Sequence, residues 1–403
     1  MNKFIATTAA ILSATSATAG GFEASRLDTN FIYEEGNYAE LSYGSLDYDV
    51  RADTRALTAH RLNENSVKTS QTRNTGSFKA SYGGLDIGLT KFKSGAIHLA
   101  GNASLYATNH PDCTTGAQAQ CALAGPVPET DVDLNTLGLI GKLSVSNEFD
   151  VLFGLKRNKV ENSTVTTTRG TFNLSGSSNT VGMAGFAYSK PEIALRVELL
   201  MQPSSSISAA TSFVASQYAK DLILNAGNAA PDPAPGCTTA DHTASLNTTM
   251  STPQMMTLNF KSGVAKDTLV YGSIHRVDWS SAQINAETGC VATRAASAFW
   301  DTTTYTIGAA RKLSDSLALT ASFVAETGGS DTTASLFTVN NGYNAINLGA
   351  RYTVGKVTIS GGYNYTKLGD VTVLADPVNP TREHARYRNN SVSALGLKVG
   401  VSF

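Results

Sequence analysis

Ser393–Phe403 reads SALGLKVGVSF, with Leu395, Leu397, Val399, Val401 and Phe403 alternating against Gly396, Lys398, Gly400 and Ser402. Side chains of a strand repeat every second residue, so this stretch has one greasy face and one small or polar face. A bilayer core leaves no backbone group unpaired and therefore admits only helices and closed barrels. A strand that is apolar outside, polar inside and finished by an aromatic residue predicts the last staple of a membrane β-barrel.

The beginning of the chain agrees. Met1–Ala19 carries an early cation, Lys3, then an uncharged run, and closes on Ala17-Thr18-Ala19, the small-x-small pattern of a secretory signal peptide over residues 1–19. Residues 20–36 read as a short N-terminal periplasmic or plug segment, and residues 37–403 as the barrel. No later apolar run approaches the roughly 20 residues of a spanning helix. Charged residues make up 16 % of the chain, against roughly 25 % in soluble domains, although hydrophobic content is an ordinary 41 %. The formal charge of −1 argues against nucleic acid as a partner.

Alternation predicts fourteen strands, at 37–50, 77–92, 96–108, 131–145, 149–167, 179–189, 193–202, 254–262, 267–278, 298–312, 317–327, 344–354, 357–373 and 391–403. Tight connections, among them Lys93-Ser94-Gly95, Ser146-Asn147-Glu148 and Lys190-Pro191-Glu192, alternate with long polar ones. Short periplasmic turns at one rim and long extracellular loops at the other are the asymmetry of outer-membrane barrels. The fold expected is thus all-β, a 14-stranded antiparallel transmembrane barrel. Tyr43, Tyr82, Phe153, Tyr188, Tyr305, Tyr352, Tyr363, Tyr365 and Phe403 read as its interfacial aromatics.

Cys113, Cys121, Cys237 and Cys290 all fall in predicted long loops. In an oxidising periplasm they are expected to form disulfides, most simply Cys113 with Cys121 and Cys237 with Cys290, although four cysteines allow three connectivities. His110 and His242 are isolated and no C-x-x-C occurs, so no metal site and no cofactor is expected. No nucleophile elbow, zinc-protease helix or phosphate loop is present, which argues against an enzyme. An apolar groove is expected in the loop 203–253, around Ile207, Phe213 and Leu222, with a helix over 209–226; Leu123 and Val127 are weaker additions. Strand alternation turns Lys142, Lys156, Arg196, Glu198, Lys261, Arg351, Lys398 and His275 inward. Arg196, Lys142 and Arg351 are the candidate ligands for a carboxylate, which a guanidinium or ammonium holds by charge-assisted hydrogen bonds. The bland alternative is ion pairing within the wall, Arg196 with Glu198 or Lys261 with Glu326.

Thr252–Ser280 (TPQMMTLNFKSGVAKDTLVYGSIHRVDWS) opens a strand on Pro-x-Met, turns tightly, and ends near Trp279-Ser280. With Gly182–Met201 and the closing strands, it resembles the FadL/TodX family of outer-membrane long-chain fatty acid and hydrocarbon transporters. The resemblance implies a monomeric barrel embedded among outer-membrane lipid and lipopolysaccharide, which takes up hydrophobic small molecules. It also implies an inward kink in the third strand that lets substrate leave sideways, and Gly101-Asn102 is the candidate. The chain departs from the family at its front, where Ser25-Arg26-Leu27-Asp28 replaces the usual Asn-Pro-Ala and only a short segment precedes the barrel. Such a segment either forms a reduced plug or leaves the lumen partly open, and a diffusion porin for small polar solutes is the alternative reading.

Overall fold

The computed structural model describes residues 26–403 except 56–60, 66, 68, 101–127, 168–169, 216–242, 289–290, 296, 334, 336 and 375–382. Fourteen strands form the wall: β1 (Tyr38–Asp49), β2 (Ser70–Tyr82), β3 (Leu85–Ala100), β4 (Glu129–Ser144), β5 (Phe149–Val160), β6 (Ser177–Lys190), β7 (Leu195–Gln202), β8 (Gln254–Ala265), β9 (Thr268–Asp278), β10 (Thr302–Lys312), β11 (Leu317–Glu326), β12 (Tyr343–Val354), β13 (Val357–Leu368) and β14 (Ser391–Ser402). Each pairs antiparallel with the next. The closing strand lies along the first, Tyr38 opposite Ser402 through Asp49 opposite Ser391, and the cylinder is complete.

Outward positions form an apolar band, for example Leu41 and Tyr43 on β1, Leu137 and Leu139 on β4, and Leu395, Leu397 and Val399 on β14, all exposed. The side chains opposite them in alternation, such as Lys398, Ser360 and Asn364, are buried in the interior. That inside-out distribution is stable only with lipid around it. Leu397 lies near mid-band, so Leu397→Arg is expected to destabilise the barrel by ~2–4 kcal/mol, read by denaturant unfolding in lipid vesicles. The predicted interfacial aromatics are all on the outer surface.

The number of strands and the sorting of short and long connections are as expected, but one turn is not. Gly83-Gly84, with φ of 54° and 88°, closes the β2–β3 hairpin. Lys93-Ser94-Gly95, expected to be that kind of turn, lies inside β3 as a bulge. Two adjacent glycines adopt a left-handed turn without a Cβ clash, which a Ser-Gly pair does less readily. Residues 209–226 were expected to be helical, yet Ser205–Ala215 is a strand paired with Thr243–Thr252. Ile207, Ala209 and Thr211 are buried while Ser206, Ser208 and Ala210 are exposed, a period of two that a helix cannot sustain. The signal peptide, all four cysteines, Leu123, Val127, Leu222, Gly101 and Asn102 lie outside the described residues.

Candidate functional site

The interior has two levels. In the short-turn half, residues 26–36 fold back into the barrel, with a 3₁₀ turn at Asn30–Tyr33. Its seat is made by small residues: a Cβ on Gly88 of β3 would lie 2.6 Å from Phe31 and 2.8 Å from Ile32, and one on Gly138 of β4 3.1 Å from Leu27. Phe31 and Ile32 are accordingly buried against Ile140, Leu152 and Met183.

Polar groups lock this plug. Glu198, completely buried on β7, accepts hydrogen bonds from Thr29 Oγ1 (2.7 Å), Tyr33 Oη (2.7 Å) and Asn259 Nδ2 (2.8 Å). Arg196 donates to Asn30 Oδ1 (2.8 Å) and stacks 3.7 Å over the Tyr33 ring. Lys79 donates to the Glu34 carbonyl, and Arg26 to Ser273 Oγ (3.2 Å). The segment thus packs inside the short-turn half of the barrel, as a reduced plug would.

Two of the three cations expected to meet a ligand are brought together here. Lys142 Nζ is 5.4 Å from the face of Tyr33 opposite the charge of Asp86 (2.7 Å), so Arg196 and Lys142 both converge on the plug's aromatic ring. Arg351 is apart, its Nη2 3.4 Å from Thr358 Oγ1. The expected ion pairs are not made as written. Arg196 and Glu198 share a face but each is directed to the plug, meeting at Tyr33, Arg196 over its ring and Glu198 at its hydroxyl. Lys261 lies opposite Tyr271 near the short turns, whereas Glu326 is at the far end of β11 with Thr304 (3.0 Å), so register separates them.

The long-loop half is greasy. One buried cluster joins Leu46, Tyr48, Leu99, Tyr343, Leu368 and Tyr387, and a second joins Ile207, Met250, Met255, Val277, Trp279 and Phe299. Ile97 and Phe337 pack against both and make the layer continuous. The rings of Trp279 and Phe299 meet edge-on at 5.8 Å. Phe213, on the loop-side sheet, has its ring 4.7 Å from that of Phe172, which packs against the second cluster.

The wall is broken beside this layer. β2 and β3 pair from Tyr82 opposite Leu85 up to Gly76 opposite Lys91. Beyond that, among the described residues, only the bridge Val67 to Leu99 joins them. Ser70–Thr75 stays paired with β1, and β3 stays paired with β4, so the seam opens over six residues, about 20 Å of strand. The cause is the bulge: Ser94 is the extra residue between Lys93 opposite Asn135 and Gly95 opposite Leu134, and a bulged strand bends away from its neighbour. Ser94 Oγ donates to the Leu134 carbonyl (3.3 Å) and lies 2.7 Å from Thr136 Oγ1. Thr136 donates to Asn158 (2.7 Å), whose amide donates to Asn179 (3.2 Å), so a polar row on β3–β6 leads to the opening. Arg73, buried on the β2 side, was not anticipated from the sequence. Its inward place follows from alternation once β2 is known to begin at Ser70.

No family model and no curated protein sequence matches the chain. Solved structures do. A FadL homologue of Pseudomonas aeruginosa superposes with a TM-score of 0.71 at 12 % identity, covering 93 % of this chain and 92 % of that one. The toluene transporter TodX of Pseudomonas putida gives 0.62 at 12 % identity over 97 % and 99 %. The Ralstonia pickettii toluene transporter TbuX gives 0.59 at 11 % identity over 98 % of both. At such identities the likeness is one of fold, and the fold is the FadL-type barrel.

Proposed function

We propose that this barrel, which shares its fold with transporters of oily compounds, stands in a bacterial outer membrane and takes up hydrophobic small molecules, long-chain fatty acids among them. A molecule partitions from the long-loop side into the apolar layer around Trp279 and Phe299 and leaves sideways through the seam between β2 and β3. The observation carrying this reading is the pairing of a greasy upper interior with a plugged lower one, with the break in the wall beside the former. Burial of apolar surface drives entry at about 25 cal/mol per Å². A carboxylate that reached the plug would meet Arg196, Lys142 and, farther off, Arg351.

The diffusion-porin alternative needs an aqueous lumen along the whole axis, and the locked plug argues against it. Chemical turnover is disfavoured too, since Ser273 is engaged by Arg26 and His275 Nδ1 lies 2.7 Å from Thr257 Oγ1. The chain has two tryptophans, and both Trp279 and Trp300 pack in the greasy layer. Titrating the purified barrel with oleate or toluene is therefore expected to change tryptophan emission saturably, and Trp300→Phe should retain the part due to Trp279. A strictly linear response to every oily compound would remove the binding layer from the proposal.

A further inference from the structure

The outward face carries a feature that uptake does not use. On β3, β4 and β5 the apolar band ends in a row of Lys91, Leu137 and Arg157, which are direct cross-strand neighbours. All three are exposed. Lys91 and Arg157 therefore stand two strand spacings apart, about 10 Å, with a greasy side chain between them. The next row up is Lys93, Asn135 and Lys159.

The carboxylates nearest these two cations are held by other basic groups. Asp133 pairs with Lys93 (2.8 Å) and His98 (2.8 Å), Asp131 with His98 (2.8 Å), and Glu161 with Lys159 (2.7 Å). Among the described residues neither Lys91 nor Arg157 makes an ion pair; Arg157 reaches only Ser178 Oγ, at 3.4 Å. Two cations without carboxylates, aimed at lipid from the border of the apolar band, are placed where head-group phosphates lie. Long basic side chains snorkel to that depth while their stems cover hydrocarbon.

We propose that the outward face of β3–β5 docks a phosphate-bearing lipid of the outer leaflet, with phosphates on Lys91 and Arg157 and acyl chains along Leu137 and Leu139. Charge complementarity selects the occupant: an anion is needed at the row of cations, and hydrocarbon is needed directly below it. The site borders the open seam, so the docked lipid forms one bank of it. The inference requires only that the barrel is embedded in a membrane and is independent of which compound is carried.

Diphosphoryl lipid A, titrated onto the purified barrel in detergent and counted by native mass spectrometry, tests it. Loss of both cations in Lys91→Gln/Arg157→Gln is expected to weaken binding about 30-fold, from roughly one unit of surface attraction per basic residue. Lys367→Gln, which removes an exposed cation at the top of β13, should leave binding unchanged, and inorganic phosphate at matched concentration should not displace the lipid. Equal affinity in the double variant, an equal loss in Lys367→Gln, or displacement by free phosphate would each overturn the proposal.

Discussion

Glu198→Ala is expected to turn a closed barrel into a conducting one. In planar bilayers the unaltered protein should give no steady current, whereas the variant should give discrete, long-lived openings. The carboxylate is the common acceptor for Thr29, Tyr33 and Asn259 at 2.7–2.8 Å, and it is completely buried. Hydrogen bonds to a charged group contribute about 1.5–3 kcal/mol each. Removing the anion also leaves Arg196 inside the lumen with its stacking partner Tyr33 unanchored, and breaking a buried charge arrangement costs about 3–5 kcal/mol. The plug is then left with the outlying bonds from Arg196, Lys79 and Arg26 and with its main apolar contact, Phe31 and Ile32 in the recess over Gly88. Gly88→Leu attacks that apolar contact by filling the recess, and the two changes together should open the barrel more than either alone. Retained fast migration of the unheated protein on a gel would show that the wall itself is intact. An intact Glu198→Ala barrel as silent as its parent would mean that the plug is not held by this carboxylate.

Deletion of Ser94 is the second large effect, and it acts on the other exit. A bulge exists because one strand has one residue too many, so removing that residue lets Gly95 follow Lys93 in register against β4. β3 then straightens toward β2 and the ladder is expected to extend above Gly76 and Lys91. Uptake of radiolabelled oleate or toluene by cells should fall more than tenfold while the tryptophan response to the same compounds in detergent persists. Binding without delivery is the signature of a closed side exit. Undiminished uptake by a folded deletion variant would rule out passage through this seam.

These experiments separate two routes that the primary structure leaves entangled. Alternation in Ser391–Ser402 and its counterparts revealed the cylinder, its lipid face and the inward cations, because a strand offers only two faces and the bilayer accepts one kind. It also revealed that Arg196 and Glu198 point inward. It misled at Lys93-Ser94-Gly95, whose small polar residues resemble a turn when viewed locally. Only pairing with β4 shows that the chain runs straight through them, and the true turn at Gly83-Gly84 was hidden inside a run that alternates acceptably on both sides. The helix expected over 209–226 gives way to a strand over 209–215, the part that is described, because the period of two in Ile207, Ala209 and Thr211 outranks apolar content.

What the amino-acid order determined by itself is the material of the wall: which residues touch lipid, which do not, and how many strands close the sheet. What tertiary structure alone decided is the assignment of partners inside it. Tyr33 meets Arg196 and Lys142 although more than a hundred residues separate it from either, Glu198 is held by Thr29, and Arg73 comes to the edge of the seam. The reason is physical. Facing is a local property of each strand, while partnership across a lumen depends on the cumulative stagger of all fourteen ladders and on where the chain's first described residues fold back, neither of which any short stretch encodes.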